Sequence, residues 1–216
     1  MNQERVRIKM SAVADSVRPY RGVSADQRRA LRRTQLLEAC LDVVAEAGVA
    51  GVTAEAVCAR AGLSKRYFYE SFADRETVLV AALDAFFDAA RAAVTPALSG
   101  PAATTGERLT RTVAALVRAV SADQRAARLY VESSRDPALE QRRNAAYDEF
   151  AELILGYALE VEPTDPRARV VALLIVSGTT EVMARWLAGD LDLDEAALVR
   201  TIAGIGLASA ESLKRA

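Results

Sequence analysis

Residues 53–72, TAEAVCARAGLSKRYFYESF, decide how the chain is read. Thr53 stands where an N-cap hydroxyl opens a helix, and the Ala-rich run to Ala61 continues it until Gly62 breaks it. Ser64 caps a second short helix, in which Phe68 and Phe72 fall four apart on one face. Two short helices joined by Gly62-Leu63-Ser64, with an apolar side chain in the bend, make a helix-turn-helix. Leu63 plugs the angle between them, while Val57, Cys58, Ala61, Phe68 and Phe72 turn inward against the preceding helix. Lys65, Arg66, Tyr67, Tyr69 and Glu70 are left outward near the start of the second helix, the place from which a recognition helix meets base edges and phosphates.

On either side of this stretch the pattern stays helical. Ser24 with Gln27 forms a capping box, and Leu31, Leu37, Leu41 and Val44 recur at helical spacing until Gly48. Asp74 opens a fourth helix expected to end near Thr95, ahead of Pro96. Thr104 with Glu107, Asp123, Asp136-Pro137, Asp165-Pro166 and Asp192 with Glu195 open helices five to nine. No alternating pattern with turn chemistry competes, so the fold class is all-α, with about nine helices and no sheet. Composition agrees: of 216 residues 44 are Ala, only 11 are Gly and 6 Pro, and 51% are hydrophobic.

The chain has no His and two Cys, which removes Ser-His-Asp and Cys-His couples and the usual Cys/His zinc sites. A di-iron reading of Asp148, Glu149 and Glu152 fails for want of Glu-x-x-His pairs, and a solvated acidic face accounts for them better. No catalytic residue, metal or cofactor is expected, and Cys40 and Cys58 read as free buried thiols. The longest apolar run, Val170 to Val176, is far short of the roughly 20 residues of a membrane span, so a soluble, cytoplasmic protein is expected. The net charge of −1 divides unevenly: residues 1–72 hold 12 basic and 8 acidic side chains, and the remainder 16 and 21. Residues 1–23, with Arg5, Arg7, Lys9, Arg18 and Arg21, read as a flexible basic arm, residues 24–73 as the DNA-binding head and residues 74–216 as a second domain.

From Arg33 to about Phe87 the chain resembles the tetracycline-repressor (TetR) family of bacterial transcriptional regulators. The matching words are the opening from Arg33 to Ala39, the Gly48 turn, Thr53, Ala61-Gly62-Leu63-Ser64, Tyr69 with Phe72, and Arg75-Glu76. Beyond them the resemblance is one of architecture and of Trp186-Leu187-Ala188-Gly189-Asp190. It implies that Thr53 contacts a phosphate and that Lys65 and Arg66 read bases, Arg66 with a fork that can engage guanine O6 and N7 together. It implies phosphate or groove contacts for Tyr67 and Tyr69, and a phosphate contact for Arg75 where the family usually has Lys. Ser71 stands where many members carry His, and Glu70 either accepts from a cytosine amino group or orients Arg66. Arg33 and Ser64 complete the DNA-facing set.

The same resemblance implies a second domain that binds a small molecule and forms a homodimer on a palindromic double-stranded DNA operator. Helix eight is apolar all round at Val170 to Val176 and then carries Ser177, Thr179, Thr180 and Glu181, which suggests a buried helix whose polar groups are satisfied internally or by a ligand. Phe86, Phe87, Leu116, Tyr130, Tyr147, Phe150 and Ile154 are candidates for the rest of an apolar or aromatic pocket. The dimer is placed on helices eight and nine through Met183, Leu198, Ile202, Ile205, Gly206 and Ser209, where small residues permit close approach. The function expected is a ligand-responsive regulator, a repressor released by its effector. The alternative is an all-helical small-molecule-binding or interaction protein without sequence-specific DNA binding, which would have no use for a basic arm beside Lys65 and Arg66.

Overall fold

A computed structural model describes residues 24–157 and 165–214, so the basic arm lies outside the described residues. Among them are nine α-helices and no strand: α1 (Ala25–Ala47), α2 (Ala54–Ala61), α3 (Lys65–Ser71), α4 (Arg75–Ser99), α5 (Thr105–Ser121), α6 (Gln124–Glu132), α7 (Pro137–Tyr157), α8 (Pro166–Leu187) and α9 (Glu195–Lys214).

Local chemistry explains most of the boundaries. The Ser24 hydroxyl accepts from the Gln27 N–H at 3.1 Å while the Ser24 N–H donates to Gln27 Oε1 at 2.7 Å, closing the capping box of α1. Gly48, at φ 72°, turns the chain out of α1 into a single 3₁₀ turn, Val49–Gly51. The left-handed Gly62, at φ 65°, ends α2, and the Leu63 N–H returns to the Cys58 carbonyl at 3.1 Å, which fixes the angle to α3. Ser64 sits at the N-cap of α3 but its side chain makes no capping bond, contrary to the sequence expectation.

Two other boundaries differ from those expected. α4 does not stop at Thr95 but runs through Pro96 to Ser99. Arg111 of α5 explains the extension, because its guanidinium donates to the carbonyls of Ala97, Gly100 and Pro101, giving the last turn the partners that its own ladder lacks. α9 is capped by Asp194 rather than Asp192, with the Ala197 N–H donating to the Asp194 carboxylate at 2.6 Å.

The head packs α1, α2 and α3 around Leu36, Cys40, Val44, Val57, Phe68 and Phe72, all buried. The same core continues along α4 through Leu79, Leu83 and Phe87 into the helices behind it, so head and body share one apolar interior. A second, smaller cluster of Ala151, Leu155, Ala168, Ala172, Val176, Ala210 and Leu213 ties α7, α8 and α9 together at one end. Helix eight is not buried all round: Val170 and Leu174 face solvent, 57% and 67% exposed, while Ala172, Val176 and Met183 face inward. By length and composition α8 and α9 are each apolar enough to cross a membrane, although the longest uninterrupted apolar run, Val170 to Val176, is only seven residues; α8 packs against α7 and α9, and α9 also against α5.

Candidate nucleic-acid interface and ligand cavity

The outer face of the helix-turn-helix is built by bracing some side chains and leaving others open. Lys65 pairs with Glu55 across the α2–α3 turn, which raises the ammonium's pKa and lowers the carboxylate's through their hydrogen bond. Arg66 donates from Nε to Glu70 at 2.9 Å, yet its side chain remains 84% exposed. Glu70 also faces Arg32 at 4.0 Å, and Arg32 lies over the Tyr67 ring at 4.4 Å, so a small network orients the recognition face from α1. Glu70 thus lies against Arg66, the placement that the second of its two expected roles requires. Tyr67 and Tyr69 are exposed, with the Tyr69 ring edge-on to buried Phe68. The Ser64 hydroxyl, without a capping bond, is open at the start of α3.

The remaining candidates are more firmly tied. Thr53 accepts from the Ala56 N–H at 3.1 Å as the cap of α2. Arg33 donates to the Ser71 carbonyl at 2.9 Å and covers the Phe72 ring at 4.3 Å, fastening the end of α3 to α1. Arg75 departs most from expectation. Its three guanidinium nitrogens donate to the carbonyls of Val52 (2.9 Å) and Val49 (2.8 Å) and to Asp136 (3.2 Å), which makes it a clamp between the head and the start of α7 rather than an open phosphate contact.

A second joint between head and body had no sequence forecast. On the side of α6 that faces α1, Arg125 donates to Asp42 (2.6 Å) and Glu38 (2.9 Å), Arg128 donates to the Ala45 carbonyl (2.7 Å), and Glu132 accepts the Val49 N–H (2.7 Å). Burial opposes the charge of Glu132, but the hydrogen bonds from Arg128 and Val49 outweigh it and hold its pKa below the ordinary value. Gly48 is required here, since a Cβ on it would lie 2.8 Å from the Glu132 carboxylate at a backbone angle that side chains avoid. The spacing of Arg125, Arg128 and Glu132 by three and four was the available signal.

Behind this joint lies a cavity of about 110 Å³ lined by α4, α5, α6, α7, α8 and α9. Phe86, Phe87, Leu116, Tyr130, Phe150, Ile154 and Thr180 line it as expected, whereas Tyr147, Ser177 and Glu181 lie outside the lining. Glu181 pairs instead with Arg185 on the outer side of α8. Phe86 stacks on Tyr130 at 4.9 Å between ring centroids, and the Tyr130 hydroxyl donates to the Thr180 carbonyl at 2.7 Å. Burial raises the pKa of that phenol, so it stays neutral.

Thr179, one of the polar groups read on helix eight, lines the space as well; Thr112, Val113 and Val120 do too and were missed, although Leu109, Val113, Leu116 and Val120 mark the apolar stripe of α5. Met183, Ile202 and Gly206, expected at a dimer interface, line it too, and Leu198 is buried in the same subunit. Of that set Ile205 is exposed and Ser209 half-buried. Cys40 and Cys58 are unpaired and buried, and burial pushes the Cys40 thiol up to about 12, which keeps it protonated and unreactive.

A helix-turn-helix head joined through α4 and α6 to a helical body with an internal apolar cavity defines a class, that of all-helical DNA-binding regulators. Residues 36–82 match the family profile described as bacterial regulatory proteins, tetR family. That match covers the helix-turn-helix head and the start of α4, and over this segment the chain is similar to tetR-family transcriptional regulators. Among solved structures it is similar to a TetR-like transcriptional regulator from Rhodococcus sp. RHA1, with 23% identity, a TM-score of 0.64, and coverage of 83% of this chain and 97% of the other. FadR from Bacillus subtilis in complex with stearoyl-CoA is 19% identical, with a TM-score of 0.68 and coverage of 82% and 98%. The multidrug binding protein EbrR complexed with imidazole is 25% identical, with a TM-score of 0.61 and coverage of 81% and 94%. No curated protein matches the chain by sequence.

Proposed function

We propose that the protein is a cytoplasmic, non-enzymatic homodimeric repressor that holds a palindromic operator through α3 and releases it when a small apolar molecule fills the cavity. The observation that carries the DNA half is Arg66, 84% exposed at the start of a recognition helix whose neighbours are braced. Arg66 reads bases in the major groove, and Thr53, Ser64, Lys65, Tyr67 and Tyr69 make backbone or groove contacts around it. The division near Asp74 separates a head that reads DNA from a body that senses the ligand, and the arm of residues 1–23 adds phosphate contacts.

The cavity supports the effector half, and so do neighbours of this fold that hold stearoyl-CoA or imidazole. Coupling follows from two helices that each reach both places. α4 carries Arg75 at the head and Phe86 and Phe87 in the cavity wall; α6 carries Arg128 on α1, Glu132 on the turn that follows α1, and Tyr130 in the wall. A cavity of about 110 Å³ is smaller than an engineered one of about 150 Å³ that holds benzene, so a larger effector must displace Tyr130 or Phe86 and move these helices. Two heads set about 34 to 36 Å apart for successive major grooves then lose their spacing.

The test is a gel shift of the full-length protein against the DNA flanking its own gene. A discrete complex that resists competitor DNA is expected, and its absence for a folded protein would leave only the alternative without sequence-specific DNA binding.

A further inference from the structure

We infer that the effector is an uncharged molecule with an apolar body and a single hydrogen-bonding group, and that Thr179 receives that group. This class of ligand rests on the reading of the cavity as the effector site. Among the described residues the walls hold no carboxylate, ammonium or guanidinium, and their one titratable group, Tyr130, stays neutral. An ion placed there would be desolvated with no opposite charge to meet it.

The hydroxyls of the wall are mostly engaged. Tyr130 donates to the Thr180 carbonyl at 2.7 Å, Thr112 to the Arg108 carbonyl at 2.9 Å, and Thr180 to the Val176 carbonyl at 2.8 Å. Helical hydroxyls elsewhere do the same: Thr95, Ser99, Thr110 and Ser209 each bond back to the carbonyl four residues earlier. Thr179 departs from this habit. It lines the cavity, is half-buried, and its hydroxyl makes no hydrogen bond among the described residues. A hydroxyl in that position is the polar handle of an otherwise apolar space, free both to donate and to accept. A carboxylate ligand would instead have to reach Arg143, whose Nε is buried without a hydrogen bond and whose guanidinium lies 5.8 Å over the Tyr147 ring, both residues outside the lining.

Four probes of one shape separate these cases: para-ethylbenzyl alcohol, para-ethylbenzoate, para-ethylbenzylammonium and para-ethyltoluene, titrated into the full-length protein by calorimetry with thermal shift alongside. The alcohol is expected to bind at least about a hundredfold more tightly than either ion. Thr179→Val, close in shape to Thr, should weaken the alcohol about tenfold and leave para-ethyltoluene unchanged, and Thr179→Ser should restore the alcohol. Benzoate binding as tightly as the alcohol, and lost in Arg143→Ala, overturns the neutral class while leaving the cavity as effector site. Equal weakening of alcohol and hydrocarbon by Thr179→Val overturns the role of Thr179. If none of the four binds, the proposal falls together with the cavity reading.

Discussion

Arg66 and Arg75 carry the same guanidinium in opposite surroundings, and their removal should differ in kind. Arg66 touches only Glu70 and otherwise faces solvent, so its loss leaves the fold intact. Arg66→Ala is expected to reduce discrimination between operator and unrelated DNA by roughly 1 to 3 kcal/mol, the value of a bidentate contact to a base, with little change in Tm. Arg75 is half-buried and donates to Val49, Val52 and Asp136, three groups left unpaired in its absence. Arg75→Ala is expected to cost about 2 kcal/mol of stability, a Tm fall of about 4–8 °C for a chain of this size. Differential scanning calorimetry and competition gel shifts on both variants check the contrast. An unchanged Tm for Arg75→Ala would return Arg75 to the phosphate-binding role that the family resemblance implies.

At the scale of elements the joint between α6 and α1 makes a prediction that depends on pH. Glu132 accepts the Val49 N–H and the Arg128 Nε–H at 2.7 and 2.8 Å, and its carboxyl pKa in the folded protein is below the ordinary 4.5. A carboxyl lowered on folding stabilises the protein above its unfolded pKa, and that contribution disappears as the pH falls through the folded value. Glu132→Gln is therefore expected to lose about 1 to 2 kcal/mol at about pH 7 and progressively less in solutions more acidic than the ordinary value, as the wild-type carboxyl is itself protonated. Urea unfolding of both proteins across that range is the measurement, and a difference independent of pH would assign the loss to packing. Why Glu132 escaped the sequence reading while Gln27 did not is a matter of range. The capping box of Ser24 and Gln27 is complete within four residues, the Gly62 turn within three and the outward set from Lys65 to Glu70 within six, so these were legible. The extension of α4 past Pro96 depends on Arg111 from another helix, and the grip of Glu132 depends on Val49, 83 residues away. The cavity wall was half legible: α5 shows a one-sided stripe, but α8 is apolar on several faces, and periodicity cannot say which of them turns inward.

For the whole molecule that ambiguity decides which face is open to the second copy of the proposed homodimer. The sequence reading placed Met183, Leu198, Ile202 and Gly206 between subunits, but these side chains fill the subunit's own interior, Met183 at 2% and Leu198 at 1% exposed. The outer face instead carries Val170 and Leu174 on α8, four residues apart and exposed, and Ile205 on α9, with Gly178 and Gly204 exposed beside them. α8 and α9 are in contact, so the strips adjoin, and large apolar side chains at this exposure on a regular helix are the surface that the proposed homodimer would cover. Two copies related by a two-fold axis would join α8 and α9 of each into a four-helix bundle, with small residues letting the backbones approach. Leu174→Arg and Ile205→Arg each place a charge in that seam without touching the cavity, and should give folded monomers in analytical ultracentrifugation. A single head makes about half the phosphate contacts, so the same variants should bind operator weakly and with about half the salt slope of the wild type. Gly206→Arg should behave differently, because Gly206 lines the cavity and faces Leu109 of α5, where a Cβ would lie 3.6 Å from a methyl. It is expected to abolish ligand binding and lower Tm rather than split a dimer. A wild-type protein that sediments as a dimer, and stays one with Leu174→Arg and Ile205→Arg combined, would move the interface off this face.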